Sequence, residues 1–216
     1  MTDCPLSRYI DHTTVSQTDS EADIVRLCDE AEQVSVYAVC VNPIWIKLAA
    51  ERLAGSDILV ASVAGFPLGA NKTETKVAEA MHAVDDGADE IDLVANIGWL
   101  VADRFVEAEA EIRKVRRRIP SDVVLKVIIE CSRLIEPQQI NATLAVINAG
   151  AAMVKTGTGM FGDVTVEQVR TLATAAGGRI GLKAAGGIRT REQCEALIRA
   201  GATRLGCSRT KAILAQ

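Results

Sequence analysis

NAGAAMVKT (Asn148–Thr156) runs out of a helix, turns on a Gly-Ala step and enters a short apolar strand that ends on a lysine. The same order of parts returns in DDGADEIDLVAN (Asp85–Asn96) and in RAGATRLGC (Arg199–Cys207). Gly87, Gly150 and Gly201 stand where a helix C-terminus needs a residue with a left-handed backbone. Ahead of the first unit, Val77, Ala80, Met81 and Val84 share one face of a helix predicted over Lys76–Asp86. Two further helices open on capping boxes, Thr165 with Gln168 and Thr190 with Gln193, in which hydroxyl and amide satisfy free backbone N–H groups.

The apolar runs Tyr37–Val41, Ile58–Ala64, Glu90–Ala95, Val124–Glu130, Ala152–Lys155, Ile180–Lys183 and Thr203–Cys207 read as strands, and Tyr9–Thr13 (YIDHT) offers an eighth. Short, nearly continuous apolar runs suit a parallel sheet covered on both faces. About eight strands alternating with helices over one domain-sized chain predict an α/β fold, a (β/α)8 TIM barrel, as a single domain over residues 1–216. A doubly wound open sheet is the competing arrangement. No linker or low-complexity tract divides the chain.

The net charge of −4 is mild and argues against a nucleic-acid partner. RKVRRR (Arg113–Arg118) closes a predicted helix, where cations complement the dipole, and reads as a solvated face. No apolar run approaches the ~20 residues of a membrane span. The six cysteines form no CxxC pair and no metal-ligand spacing with His12 or His82, so no metal and no cofactor is expected. Scattered thiols without a signal peptide suggest a reducing cytoplasm. His82 lies on an amphipathic helix and reads as a surface residue, and His12 as a structural hydrogen-bonder.

Barrel chemistry sits at the C-terminal ends of the strands. The polar groups there are Asp11 with His12, Asn42, Asp92 with Asn96, Glu130, Lys155, Lys183 and Ser208, all expected at one mouth. Lys155 and Lys183 end successive strands, and each is followed by glycines. A lysine is nucleophilic only as a neutral amine, and burial or a neighbouring cation favours that form. One of the pair is thus a candidate nucleophile toward an aldehyde or ketone and the other its electrostatic partner; the residues alone do not say which. Asp92 shares a strand face with Glu90 and Val94, and one of the two faces of that strand points into the barrel; there Asp92 is either a carboxylate that moves protons for the two lysines or a structural ion-pair partner. Asp89 and Glu90 are expected to be solvated at the start of that strand. Gly186, Gly187 and Gly206, with Ser208, follow the last two strands, where barrels bind phosphate through backbone N–H groups. Thr156 and Thr158 add hydroxyls. Cys40, in VCVNP, is either a core thiol or one facing the mouth and open to attack by unsaturated aldehydes.

IDHT, VCVNP, GFPLGANK, EIDLVANIG, LKVIIE, VKTGTG, LKAAGGIRT and GATRLG follow one another in an order that resembles the deoxyribose-phosphate aldolases over nearly the whole chain. The resemblance implies a (β/α)8 barrel and a class I, metal-independent Schiff-base aldolase. The implied reaction is the reversible cleavage of 2-deoxy-D-ribose 5-phosphate to acetaldehyde and D-glyceraldehyde 3-phosphate, in deoxyribonucleotide catabolism. It implies Lys155 as the Schiff-base former, Lys183 as the neighbour that lowers its pKa, and Asp92 as proton relay with Lys183. It implies Thr158 at the substrate, with Gly186, Gly187, Gly206 and Ser208 at the phosphate. The implied partners are small phosphosugar and aldehyde substrates, and a homo-oligomer, dimer or tetramer, is compatible with it. Three features depart from the pattern. Gly157 replaces the serine of KTSTG, Arg209 follows Ser208 where small residues are usual, and the chain ends KAILAQ without a C-terminal tyrosine. Gly157 and Arg209 leave open a related Schiff-base aldolase with a different acceptor aldehyde, and a non-enzymatic phosphosugar-binding barrel is the third reading.

Overall fold

The computed structural model describes residues 4–216; the first three residues of the expected domain lie outside the described residues. Eight strands form one closed parallel barrel in sequence order. They are β1 (Ile10–Thr13), β2 (Ala38–Val41), β3 (Leu59–Ala64), β4 (Glu90–Val94), β5 (Val124–Ile128), β6 (Met153–Lys155), β7 (Gly181–Ala185) and β8 (Arg204–Cys207). Closure comes from β1, which pairs with both β2 and β8. The open-sheet alternative is thereby removed. All eight expected strands exist, each displaced by only a residue or two at its ends.

Helices follow the strands in turn: α1 (Glu21–Val34), α2 (Ile46–Arg52), α3 (Thr73–Asp85), the pair α4 (Ile97–Val101) and α5 (Phe105–Arg116), α6 (Glu136–Asn148), α7 (Val166–Ala176), α8 (Arg191–Arg199) and α9 (Thr210–Leu214). Gly87, Gly150 and Gly201 do take positive φ at the helix-to-strand steps. Both capping boxes form, with Gln168 and Gln193 each donating its backbone N–H to the hydroxyl three residues back. Outward strand residues such as Ile91, Leu93, Leu125 and Val127 pack against the helices and form the main core. His12 faces this helix layer rather than the mouth. Its ring meets Glu30 of α1 and the Thr210 hydroxyl of α9, and burial pushes its pKa down against the pull of Glu30. His82 is exposed, and in the basic run Arg113 donates to the Asn148 carbonyl that ends α6 while Arg116 donates to the Ile119 and Val123 carbonyls that follow α5. No helix among the described residues is long and apolar enough to cross a membrane.

The helix expected from Lys76 begins at Thr73 and buries Lys76 completely. Its ammonium reaches Glu111 of α5 at 2.7 Å, and Glu111 also accepts from the Asn96 backbone N–H and the Thr73 hydroxyl. The stem of Lys76 lies against Gly65, whose positive φ and missing Cβ admit it. Charge pairing thus lets a lysine sit at a position that helical spacing alone assigns to an apolar residue. Replacing Lys76 by Met leaves the Glu111 carboxylate buried without its cation. We expect Lys76→Met to lose about 3 kcal/mol of unfolding free energy in urea titration, whereas a loss near zero would show that the pair contributes nothing beyond packing.

Candidate active site

The register of β6 against β7 sets Lys155 directly beside Lys183, and that of β4 against β5 sets Asp92 beside Lys126. All four side chains point into the barrel, where alternation along each strand also places Asp11, Glu90 and Arg204. The seven charges form one chain of contacts. Asp92 Oδ2 lies 2.7 Å from Lys155 Nζ and 2.7 Å from Lys183 Nζ, while its Oδ1 takes Lys126 Nζ at 2.9 Å. Lys183 also pairs with Asp11. Lys126 continues to Asp11 at 3.3 Å and to Glu90 at 2.5 Å. Arg204 closes the lower end on Asp11 at 2.8 Å and Glu90 at 3.2 Å, stacked over the Tyr37 ring at 3.5 Å.

Glu90 therefore corrects the sequence expectation. It is not solvated but fully buried, because the face it shares with Asp92 points into the barrel and meets two cations there. Asp89, on the opposite face, is exposed and accepts the Val60 N–H. Lys126 and Arg204 were not singled out from the sequence: Arg204 opens β8, where solvated residues are common, and Lys126 sits in the middle of β5, where only the phase of the pleat tells inside from outside. The available signal was a charged residue in a strand buried on both faces.

The lysines are pushed in opposite directions. Burial pushes Lys155 down and Lys183 adds to that, with Asp92 only partly opposing. Burial also acts against the charge on Lys183, but Asp11 and Asp92 outweigh it and hold the ammonium above the usual lysine range. Lys126 is held well above that range by Asp11, Asp92 and Glu90 despite its burial. Burial works against the Asp92 carboxylate, but Lys126, Lys155 and Lys183 hold it well below the usual range.

Above this chain the barrel opens into a cavity of about 890 Å³. Lys155 lines it; Lys183 and Lys126 lie beneath, fully buried. Cys40, Val63 and Phe66 make an apolar wall beside Lys155. Cys40 thus faces the mouth, although burial pushes its thiol pKa up and keeps it neutral. Thr158, Gly186, Gly187, Gly206 and Ser208 line the same cavity, joined by Arg189 and Arg209. Gly186 and Gly187 have positive φ, and Gly186 packs against Gly159. Gly206 has a second role: a Cβ there would stand 3.3 Å from Lys183 Cε, so its absence makes room for that lysine. Asn42 reaches the mouth and donates to the Ser16 carbonyl. Asn96 does not; it caps α4 by accepting the Trp99 N–H.

Two contacts fix the loop after Lys155. Thr156 donates its hydroxyl to the Ala185 carbonyl at 3.1 Å and accepts the Ala185 N–H at 3.0 Å, tying β6 to β7 past the end of their ladder. Buried Glu130 accepts the Thr158 N–H at 3.0 Å and the Thr158 hydroxyl at 2.7 Å. Gly157 lies against this carboxylate, and a Cβ there would stand 2.7 Å from Glu130 Oε1.

Residues 6–212 match the DeoC/LacD family of aldolases. The chain belongs to this aldolase family. It is 50% identical to a deoxyribose-phosphate aldolase of Deinococcus radiodurans over 204 residues, 94% of this chain and 92% of that protein. Among solved structures, the aldolase QR15 superposes with a TM-score of 0.93 at 38% identity, covering 100% of this chain and 96% of that one. A tetrameric deoxyribose phosphate aldolase from Aeropyrum pernix gives 0.86 at 28% identity over 97% and 89%. In this aldolase Gly157 is matched to Glu130 by space. Gly157→Ala should displace the Glu130 carboxylate and free Thr158, with a loss of about 1–2 kcal/mol of stability. A crystal structure of the variant with both Glu130–Thr158 hydrogen bonds intact would contradict this.

Proposed function

We propose that the chain is a class I deoxyribose-phosphate aldolase, with Lys155 as its nucleophile. The observation that carries the assignment of the lysine is its position: of the three lysines joined by Asp92, Lys155 alone opens on the cavity, and it alone is pushed toward the neutral amine. Neutral Lys155 Nζ attacks C1 of open-chain 2-deoxyribose 5-phosphate, and loss of water leaves an iminium. The C3 hydroxyl gives up its proton, the C2–C3 bond breaks, and its electron pair is taken up by the iminium as an enamine. C3 departs as the aldehyde of glyceraldehyde 3-phosphate. Protonation at C2 and addition of water return acetaldehyde and the free amine, so the water lost in the first half is restored in the second.

Asp92 and Lys183 are the proton-handling pair in this reading. Asp92 Oδ2 touches both lysine nitrogens, so a proton leaving Lys155 has an acceptor already in contact. Charged Lys183 supplies the cation that disfavours a second positive charge on Lys155. Thr158 is assigned to the sugar oxygens. Gly186, Gly187, Gly206 and Ser208 are assigned to the phosphate, with Arg189 and Arg209 supplying positive charge at the same end. The apolar wall of Cys40, Val63 and Phe66 suits the methyl carbon of acetaldehyde. A homo-oligomer, with the tetrameric Aeropyrum pernix relative as precedent, and a cytoplasmic role in deoxyribonucleotide catabolism belong to the same proposal.

Borohydride reduction in the presence of acetaldehyde, read by peptide mass spectrometry, should place the adduct on Lys155, and Lys155→Leu should abolish both adduct and cleavage. An adduct on Lys183 would reverse the two roles. No adduct in the folded protein would favour a binding barrel without turnover. Arg209 favours a second reading, an altered acceptor preference, because its charge stands at the cavity where the family pattern has small residues. In an acceptor screen, clear preference for glyceraldehyde 3-phosphate over unphosphorylated aldehydes would remove that reading.

A further inference from the structure

The ion-paired chain inside the barrel contains four cations, Lys126, Lys155, Lys183 and Arg204, and three anions, Asp11, Glu90 and Asp92. All seven are buried. A buried excess charge is costly, and a group that can shed its charge does so. Arg204 cannot, since a guanidinium keeps its proton. Lys126 meets three carboxylates and Lys183 two, whereas Lys155 meets only Asp92. The count is balanced when Lys155 is the neutral member. Arg204 and Glu90 open β8 and β4 at the closed end of the barrel, and neither lines the cavity.

We propose that Arg204 and Glu90 are positioning residues that set the protonation of Lys155 from the far end of the barrel, through the charge count of this chain. The inference rests on the Schiff-base reading of Lys155. Arg204 supplies the cation that makes a fourth positive charge one too many. Glu90 supplies the anion that keeps Lys126 charged and leaves the deficit at Lys155. The other groups facing Lys155 do not replace them. Cys40 of β2 is a neutral thiol, and Glu130 beyond β5 directs its carboxylate to Thr158 and Ser132. On the open side, Asp163, Arg189 and Arg209 are exposed and screened by solvent. Beneath Arg204 lies Tyr37, whose ring carries Arg8 at 5.4 Å on the side of the barrel base.

The signs are opposite for the two residues. Removing the Arg204 cation favours protonated Lys155, so the acid limb of the pH profile moves to higher pH. Removing the Glu90 anion favours neutral Lys155, and the limb moves to lower pH. The test is the pH dependence of kcat/KM for cleavage, together with reductive trapping of acetaldehyde on Lys155, in wild type and four variants. Arg204→Gln should shift the limb up by about one pH unit, about tenfold slower at a fixed pH on the limb. Glu90→Gln should shift it down by a similar amount. The double variant restores the count and should return the limb close to wild type, and Arg204→Lys should leave it in place. A purely structural role predicts a double variant worse than either single one.

Wild type without a trapped Lys155 overturns the Schiff-base reading before any variant is compared. Wild type that traps, with folded variants that show no shift, shifts of the same sign or a double variant displaced further than the singles, overturns this inference alone. If Arg204→Gln does not fold, Glu90→Gln and the double variant decide by the same criteria.

Discussion

The Asp92 carboxylate, shared among three lysines, is the contact on which the rest of the site depends. One oxygen holds Lys155 and Lys183 together, and the other holds Lys126. Three lysine side chains would not gather in a closed barrel without an anion among them, and an isolated carboxylate would not stay ionised there. The arrangement needs its members from separate strands, delivered at the same height. A parallel barrel with fixed register does this through the backbone ladder, so the chemistry and the closure of the sheet share one cause.

The chain has made room for this polar interior by thinning its walls. Gly206 leaves space for the stem of Lys183, and the scarcity of aromatic residues keeps the interior free of competing bulk. The apolar core is displaced outward, between strands and helices. Stability and chemistry therefore occupy different layers of the molecule. Lys76 and Glu111 show the same solution in miniature, a buried charge tolerated because its partner arrives from another helix.

Much of this was legible in the sequence. The repeat of helix, Gly-Ala step and apolar strand announced the barrel, and two lysines on successive strands, each followed by glycines, with an aspartate between apolar neighbours announced the site, although β7 runs two residues past Lys183. Lys126, Glu90 and Arg204 were not, for a physical reason. Glu90 and Arg204 open their strands, where charged residues are commonly solvated, Lys126 sits mid-strand, and only the phase of the pleat sends all three inward. Glu90 shares its phase with Asp92, so accepting the aspartate as internal already required the glutamate to be internal too. Asn96 lies away from the mouth because helix capping uses the same residue types as catalysis, and His12, although its strand end suggested the mouth, is the structural hydrogen-bonder its context also suggested. The choice between Lys155 and Lys183 was closed to periodicity altogether, because it depends on depth below the cavity floor.

The Thr156 hydroxyl, bonded both ways to Ala185, has a mechanical consequence. It acts as a hinge pin at the boundary between the ladder and the glycine-rich loop. The pin ties the end of the strand carrying Lys155 to the neighbouring strand, so the position of the lysine does not depend on the glycines that follow it. The reacting nitrogen before the pin and the Thr158 hydroxyl beyond it are thus anchored separately, one on the carboxylate of Asp92 and the other on that of Glu130.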